Sequence, residues 1–216
     1  MENKIKINIV SDIVCPWCII GYKRLMNAIK ELGVQDRIEL NWIPYELNPN
    51  MSNEGQNLQE HLSEKYGSTP LEQKKMEEEM TAMALTLGFQ FDFYDSMRIF
   101  NTREAHILLD FAKEFDKQTD LNLRLMTAFY SEKKDIANQT ILLDELEAVG
   151  LDRVKALERL NSEEAKYSIV QEEKHWQQMG VKSTPTFIFE DMSAIPGAQP
   201  EEVFKNAISN LLKEQK

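Results

Sequence analysis

The sequence predicts an α/β fold in which one sheet is begun near the N-terminus and completed near the C-terminus, with a large all-helical insertion between the two parts. Three observations predict it. Strand patterns occur near both ends of the 216 residues, the first two strands enclose an amphipathic helix, and the long middle segment is helical in pattern. The order of elements is therefore βαβ, a helical block, and ββα.

The N-terminal unit is a strand, a helix and a second strand. Residues 4–10 alternate apolar and polar side chains, which is typical of a half-buried strand. Apolar residues then recur at three- and four-residue spacing over 19–32, Pro16 suits the first helical position, and Gly33 is placed to end the helix. Residues 37–45 form the second strand, and a right-handed crossover predicts that the two strands are parallel.

The middle of the chain, residues 57–180, is predicted to be the helical insertion. Helical periodicity covers 58–66, 71–87, 102–115, 121–130, 141–149, 152–160 and 163–179. The last of these helices, over about 163–180, leads back to the sheet, which is completed by short strands near 186–190 and 194–195 and a closing helix over 203–212. We therefore predict one domain formed by 1–56 and 181–216 and interrupted by 57–180.

Composition and charge limit the function classes. The net charge is −11 and the isoelectric point is about 4.9, which argues against a nucleic-acid binder or a surface that binds anionic lipid. The sequence contains no run of the roughly 18 apolar residues that a membrane span requires. The first ten residues enter a strand pattern directly, without an apolar segment and cleavage site. We expect no nucleic-acid and no membrane partner, and a cytoplasmic protein.

The sequence contains only two cysteines, and both lie in the segment Cys15-Pro16-Trp17-Cys18. A disulfide that closes so short a loop constrains the unfolded chain very little, so a structural role explains the pair poorly. Redox chemistry, half of a metal site and coincidence remain. The histidines that would complete a zinc site (His61, His106 and His175) are scattered, and a structural zinc site needs four ligands; we expect no metal.

The position of the pair at a helix start favours redox chemistry. Free backbone N–H groups and the helix dipole converge there, so we expect the pKa of Cys15 to be lowered. Cys18 lies one helical turn further on, within reach for a disulfide. We predict that Cys15 is the exposed attacking thiol and Cys18 the sheltered resolving thiol. Pro16 and Trp17 shape the helix start and its rim. Asp12 either caps the helix or tunes the cysteines, and capping is slightly favoured.

A second candidate element is the proline that precedes the third main strand. Thr184-Pro185 stands directly before the apolar run that begins at Thr186. An X–Pro bond at such a position can be cis. The position by itself allows either isomer.

These residues resemble a known family. The segment 11–18 resembles the active-site entry of the DsbA-like thioredoxin superfamily and, more narrowly, of the FrnE-type dithiol oxidoreductases. Residues 45–49, 101–106 and 197–201 are similar to the same family. The resemblance implies a thioredoxin-like sheet with a helical domain over the dithiol. It also implies that Thr184-Pro185 is a cis-proline loop beside the two sulfurs, where a substrate peptide or glutathione pairs with backbone, and we therefore predict a cis bond there. Ile9 stands where thioredoxins carry a buried acid, so a proton relay for Cys18 must use another group, such as Asp12 or water.

The resulting prediction is a thiol–disulfide oxidoreductase acting on protein or small-molecule thiols and disulfides. It needs no cofactor beyond its own dithiol, with glutathione as a possible co-substrate. Two alternatives remain: a glutathione-dependent isomerase or transferase of the same superfamily, and a chaperone-like binding module in which the dithiol is incidental. His106 is expected to be a core histidine, and the methionine stripe Met76, Met80 and Met83 is expected to pack a helix, with a binding groove as the alternative.

Overall fold

The computed structural model describes residues 4–52 and 54–215. Strand β1 (Ile5–Ser11) is followed by helix α1 (Pro16–Leu32) and strand β2 (Ile38–Pro44). The two strands pair in parallel along their whole length. The parallel βαβ crossover predicted from the sequence is therefore confirmed, and it brings the carboxyl ends of both strands to the edge where α1 begins.

The segment between the two parts of the sheet is mainly helical in the described residues. Its elements are β3 (Gln56–Asn57), α2 (Leu58–Tyr66), α3 (Pro70–Thr86), β4 (Arg98–Ile99), α4 (Arg103–Lys113), α5 (Gln118–Tyr130), α6 (Gln139–Ala148), α7 (Arg153–Leu160) and α8 (Glu163–Gln178). The short strands β3 and β4 pair antiparallel. Sequence patterning missed them because two residues are too few to show alternation.

The chain returns to the sheet with β5 (Thr186–Phe189) and β6 (Ala194–Pro196) and ends in helix α9 (Glu201–Glu214). In the described residues the strand order is β2-β1-β5-β6, with β5 antiparallel to β1 and β6 antiparallel to β5. The largest buried apolar cluster includes residues of both the sheet and the helical segment. The proposed boundaries at 56/57 and 180/181 stay a prediction.

Residue types at the helix ends explain where the helices begin and stop. Side chains of Asn, Thr, Asp or Ser accept hydrogen bonds from the first-turn N–H groups of α2, α3, α6, α7 and α8. Thr69 and Glu72 form a reciprocal capping box at α3. Helix α1 ends at Gly33, whose φ of 65° is a left-handed conformation that glycine adopts without strain.

Helices α1 and α9 pack against each other beside the sheet. Phe187 of β5 and Phe204 of α9 stack edge to face with ring centroids 4.8 Å apart. A Cβ atom at Gly21 of α1 would lie 2.9 Å from the Phe187 ring. Glycine at this position therefore lets α1, and the dithiol at its start, lie close to the sheet.

Helices α4, α5 and α8 contact β2, and α5 covers its outer edge. The Gln118 amide oxygen accepts a hydrogen bond from the Trp42 backbone N–H at 2.9 Å, and its Nε2 donates to the Trp42 carbonyl at 3.0 Å. The side-chain amide thus pairs with the free backbone N–H and carbonyl at this strand edge, as a further strand would. This contact fixes the helical segment against the sheet edge.

Within the described residues, no helix has both the length and the apolar character needed to cross a bilayer.

Candidate active site

The two cysteines lie where β1 passes into α1. Cys15 is the residue immediately before the helix, with extended backbone angles, and Pro16 occupies the first turn. The Cys15 N–H donates to the Asp12 carbonyl at 3.1 Å, and the Cys18 N–H donates to the Cys15 carbonyl at 3.0 Å. Both thiols are free. The strand end, the turn and the first helical turn therefore hold both cysteines in a fixed backbone geometry.

Both cysteines are buried: the exposed fraction is 4% for Cys15 and 0% for Cys18. The prediction of an exposed Cys15 is therefore wrong. The residue lies in the wall of a large cavity that residues of α2, α3 and α5 help to enclose, while Cys18 is not among the residues that line it. Cys15 therefore borders this cavity, whereas Cys18 is fully buried and does not.

The electrostatic environments of the two thiols differ in the predicted direction. A hydrogen bond from Cys18 is the main cause that lowers the pKa of Cys15, with further help from Thr184, against the opposing effects of burial and the Asp12 charge. Burial, followed by the hydrogen bond to Cys15, raises the pKa of Cys18 well above its ordinary value. The first thiolate therefore forms at Cys15, which is the thiol that faces the cavity.

The proline loop lies beside this sulfur. The Thr184–Pro185 peptide bond is cis, as predicted. The Cys15 Sγ donates to the Thr184 carbonyl at 3.8 Å. The Thr184 hydroxyl oxygen is buried without a partner at ordinary hydrogen-bond distance in the described residues, and it lies close enough to Cys15 to lower its pKa.

The cavity beside Cys15 has a volume of about 730 Å³ and is mainly apolar. Pro16 and Trp17 both line it, and Trp17 is 37% exposed. The apolar and aromatic side chains in its wall include Leu58, Leu62, Met76, Met80, Phe93, Met97, Phe129 and Tyr130. Two members of the methionine stripe, Met76 and Met80, therefore line a cavity rather than only pack a helix. The volume is in the range of small-molecule sites.

Several polar and charged side chains also line this cavity. Lys65 donates to the Leu47 carbonyl and to Asn48 Oδ1, each at 2.9 Å. His61 Nδ1 lies 2.9 Å from Gln56 Oε1, and burial lowers the pKa of this histidine. Lys182 is exposed and also lines the cavity. The described residues contain no group of three or more His, Cys, Asp or Glu side chains arranged to hold a metal ion.

Asp12 does not cap α1, and this prediction is wrong. No side chain caps α1, because Cys15 occupies the capping position. The Asp12 carboxylate is fully buried and points to the loop after β2 instead: Oδ2 accepts from the Leu47 N–H at 2.7 Å, and Oδ1 lies 3.5 Å from His106 Nε2. Asp12 therefore links the loops at the carboxyl ends of β1 and β2.

His106 is buried, as a core histidine would be, but it faces acidic groups. Burial lowers the pKa of His106, while the hydrogen bond and charge of Asp12 and the charges of Glu173 and Glu46 raise it, and the net shift is upward. The histidine therefore forms an ion pair with Asp12 when protonated. Sequence reasoning missed this pair because 94 positions separate its members.

A second buried acid, Glu46, holds the same loop. Its Oε1 accepts from Arg103 Nε at 2.8 Å, its Oε2 accepts from Asn101 Nδ2 at 2.9 Å, and its backbone N–H donates to Glu173 Oε1 at 2.5 Å. Two of the segments that carry the family resemblance, 45–49 and 101–106, thus meet here. The resemblance marked these segments, but it assigned no role to Glu46 or Arg103.

Comparison with known proteins agrees with this geometry. Residues 6–209 match the model of the DSBA-like thioredoxin domain. The uncharacterized protein YwbO of Bacillus subtilis is 32% identical over 214 residues, covering 98% of this chain and 99% of that protein.

Solved structures share the fold. The crystal structure of a probable DsbA oxidoreductase from Streptomyces coelicolor has a TM-score of 0.91 and 25% identity, covering 98% of this chain and 92% of that chain. The cytosolic disulfide reductase DsbM of Pseudomonas aeruginosa, solved with GSH, has a TM-score of 0.66 and 16% identity, covering 96% and 99%. The predicted thioredoxin-like sheet with a helical insertion is confirmed, and the chain belongs to the DsbA-like thioredoxin family.

Proposed function

We propose that this protein is a thiol–disulfide oxidoreductase in which Cys15 attacks and Cys18 resolves. The observation that carries the proposal is the asymmetry of the dithiol. Cys15 faces the cavity and has a lowered pKa, whereas Cys18 is sealed beneath it and has a raised one. An accessible thiolate and a neighbouring buried thiol are what two-step disulfide exchange requires.

The two steps of exchange balance in atoms and electrons with the dithiol and the substrate disulfide alone. The Cys15 thiolate attacks a substrate disulfide, forms a mixed disulfide and releases one substrate thiolate. Cys18 then loses its proton, attacks the Cys15 sulfur and releases the second substrate thiolate, so the protein is oxidised by two electrons and the substrate is reduced. The reverse sequence oxidises a substrate dithiol.

The cavity indicates which substrates fit. Its walls are mainly apolar and include flexible methionines, which adapt to different shapes. We propose that it holds the apolar groups beside the reacting disulfide of a protein or small-molecule substrate. Exposed Lys182 would suit the carboxylate of a small thiol such as glutathione. The Thr184 backbone, next to Cys15, would pair with the substrate backbone. We also propose that the protein is cytoplasmic and that it belongs to the FrnE-type subgroup of the family.

The test is disulfide reduction with dithiothreitol as the electron source. We expect wild-type protein to accelerate reduction of insulin or glutathione disulfide, and the double variant Cys15→Ser, Cys18→Ser to fall to the uncatalysed rate. Far-UV circular dichroism of both proteins controls for folding. A double variant with full activity would contradict the proposal. If wild type showed no disulfide reduction and the double variant bound unfolded protein as well as wild type does, the result would favour a chaperone-like binding module over an oxidoreductase.

A further inference from the structure

Cys18 must lose a proton during exchange, yet it lies out of reach of the cavity. Burial raises the pKa of its thiol, so its thiolate does not form readily by itself. In the mixed disulfide, the substrate occupies the cavity above it. The side chain of Ile9 is fully buried and apolar, so position 9 offers no acid or base. The proton of Cys18 therefore needs another path.

The end of β1 supplies polar groups next to this sulfur. The Ser11 hydroxyl and the Asp12 backbone N–H both lie close enough to Cys18 to lower its pKa. The Ser11 hydroxyl is buried and has no partner at ordinary hydrogen-bond distance in the described residues. It is therefore available to pass a proton on.

A second, narrow pocket reaches Ser11, and it shares no lining residue with the cavity beside Cys15. Its volume is about 10 Å³, which is room for about one water molecule. Ser11, His106 and Asn122 line its buried part. The Ser11 hydroxyl and the Asn122 amide oxygen are buried without a hydrogen bond in the described residues, and His106 Nε2 faces Asp12 Oδ1 at 3.5 Å. Asp110, Lys113 and Glu172, which are partly or fully exposed, line its outer part. The pocket thus leads from the surface to His106 and Ser11.

We propose that the pair His106–Asp12 accepts the proton of Cys18 through the Ser11 hydroxyl and this water-sized pocket. The inference rests on the proposed dithiol exchange and concerns its second step only. Cys18 gives its proton to the relay as its sulfur bonds to Cys15, the bond between Cys15 and the substrate sulfur breaks, and the substrate leaves as a thiolate. When the protein disulfide is reduced, the same path returns the proton to Cys18.

Charged groups after β1, after β2 and in α8 act on His106. The acids that face it are Asp12 after β1, Glu46 after β2, and Glu172 and Glu173 of α8, while Asp110 and Lys113 on its own helix line the same pocket. Burial lowers the pKa of His106, but the acids outweigh it. His106 therefore holds a proton more strongly than an isolated histidine, which suits an acceptor.

Stopped-flow reaction with a limiting amount of Ellman's reagent separates the two steps. The first thionitrobenzoate released reports attack by Cys15, and the second reports resolution by Cys18. In wild type we expect the second phase to accelerate as pH rises through the pKa of His106, because the acceptor must be unprotonated. In His106→Gln this phase should be about 100-fold slower at neutral pH. It should accelerate only at the more alkaline pH where Cys18 ionises by itself, and the first phase should be unchanged.

Two further variants keep the test decisive. Ser11→Ala removes the relay hydroxyl with a small change of volume and should slow the second phase in the same way, even where His106→Gln fails to fold. His175→Gln removes an exposed histidine of α8 and should match wild type. A second phase with the wild-type pH profile in both Ser11→Ala and folded His106→Gln would overturn the relay alone. A wild-type protein that releases no second thionitrobenzoate would overturn the dithiol exchange itself.

Discussion

Cys18→Ala protein will accumulate a covalent adduct at Cys15, while Cys15→Ala will accumulate almost none. The first variant keeps the thiol that faces the cavity and removes the one that resolves the mixed disulfide. The second keeps only a thiol that is fully buried and whose burial raises its pKa. Non-reducing gels and intact-mass spectra after incubation with glutathione disulfide measure both adducts. We expect close to one adduct per Cys18→Ala molecule.

The Cys18 thiol is the main group that lowers the pKa of Cys15, so Cys18→Ala should react more slowly than wild type in the first step. The adduct nevertheless persists because nothing resolves it. Equal trapping by the two variants, or trapping by Cys15→Ala alone, would show that the assigned roles are wrong.

Arg103→Ala will destabilise the protein strongly. The Glu46 side chain is fully buried and Arg103 Nε lies 2.8 Å from its Oε1. Within the part of the chain that the structure describes, loss of the guanidinium leaves the Glu46 carboxylate with the Asn101 amide as its one side-chain donor. Removing one partner of a buried pair costs roughly 3–5 kcal/mol, and we expect the lower end because the Arg103 side chain is 35% exposed. Urea denaturation measures the change in the free energy of unfolding.

Two control variants test whether the loss of stability in Arg103→Ala comes from the unpaired Glu46 charge. Arg98→Ala removes a different arginine, one that donates to backbone carbonyls at an exposed site. We expect it to lower the free energy of unfolding by less than about 1 kcal/mol. Adding Glu46→Gln to Arg103→Ala removes the unpaired charge and should recover part of the lost stability. If Arg98→Ala and Arg103→Ala cost the same, the buried pair does not stabilise the loop after β2.

Local signals allowed the sequence to predict most of the fold and the dithiol. The periodicity of α1, Pro16 at its start and Gly33 at its end are all readable from neighbours in the chain, and so is the position of Cys15 at a helix start. The place of Pro185 directly before a strand allows a cis bond, and the family resemblance predicted it. These features depend on short stretches of chain, where residue type and local geometry are closely linked.

The missed features depend on contacts between distant segments. The carboxylate of Asp12 turns from α1 to the Leu47 N–H and His106, and Glu46 finds Arg103, because the helical segment folds back over the loop after β2. The burial of Cys15 has the same origin, since residues of the helical segment help to enclose its cavity. No pattern within a short window indicates which side chain will meet a buried acid from another element.

In this protein Cys15 ionises first, and the hydrogen bond from Cys18 makes it do so. Ultraviolet thiolate absorbance of the reduced wild-type protein, titrated with pH, tests it most directly. We predict one thiolate with a midpoint below the ordinary value of about 8.5 and a second that forms only at much higher pH. Cys18→Ala should raise the first midpoint, because it removes the hydrogen bond that most stabilises the Cys15 thiolate. A first midpoint in wild type at or above about 8.5, or one that Cys18→Ala leaves unchanged, would contradict the account.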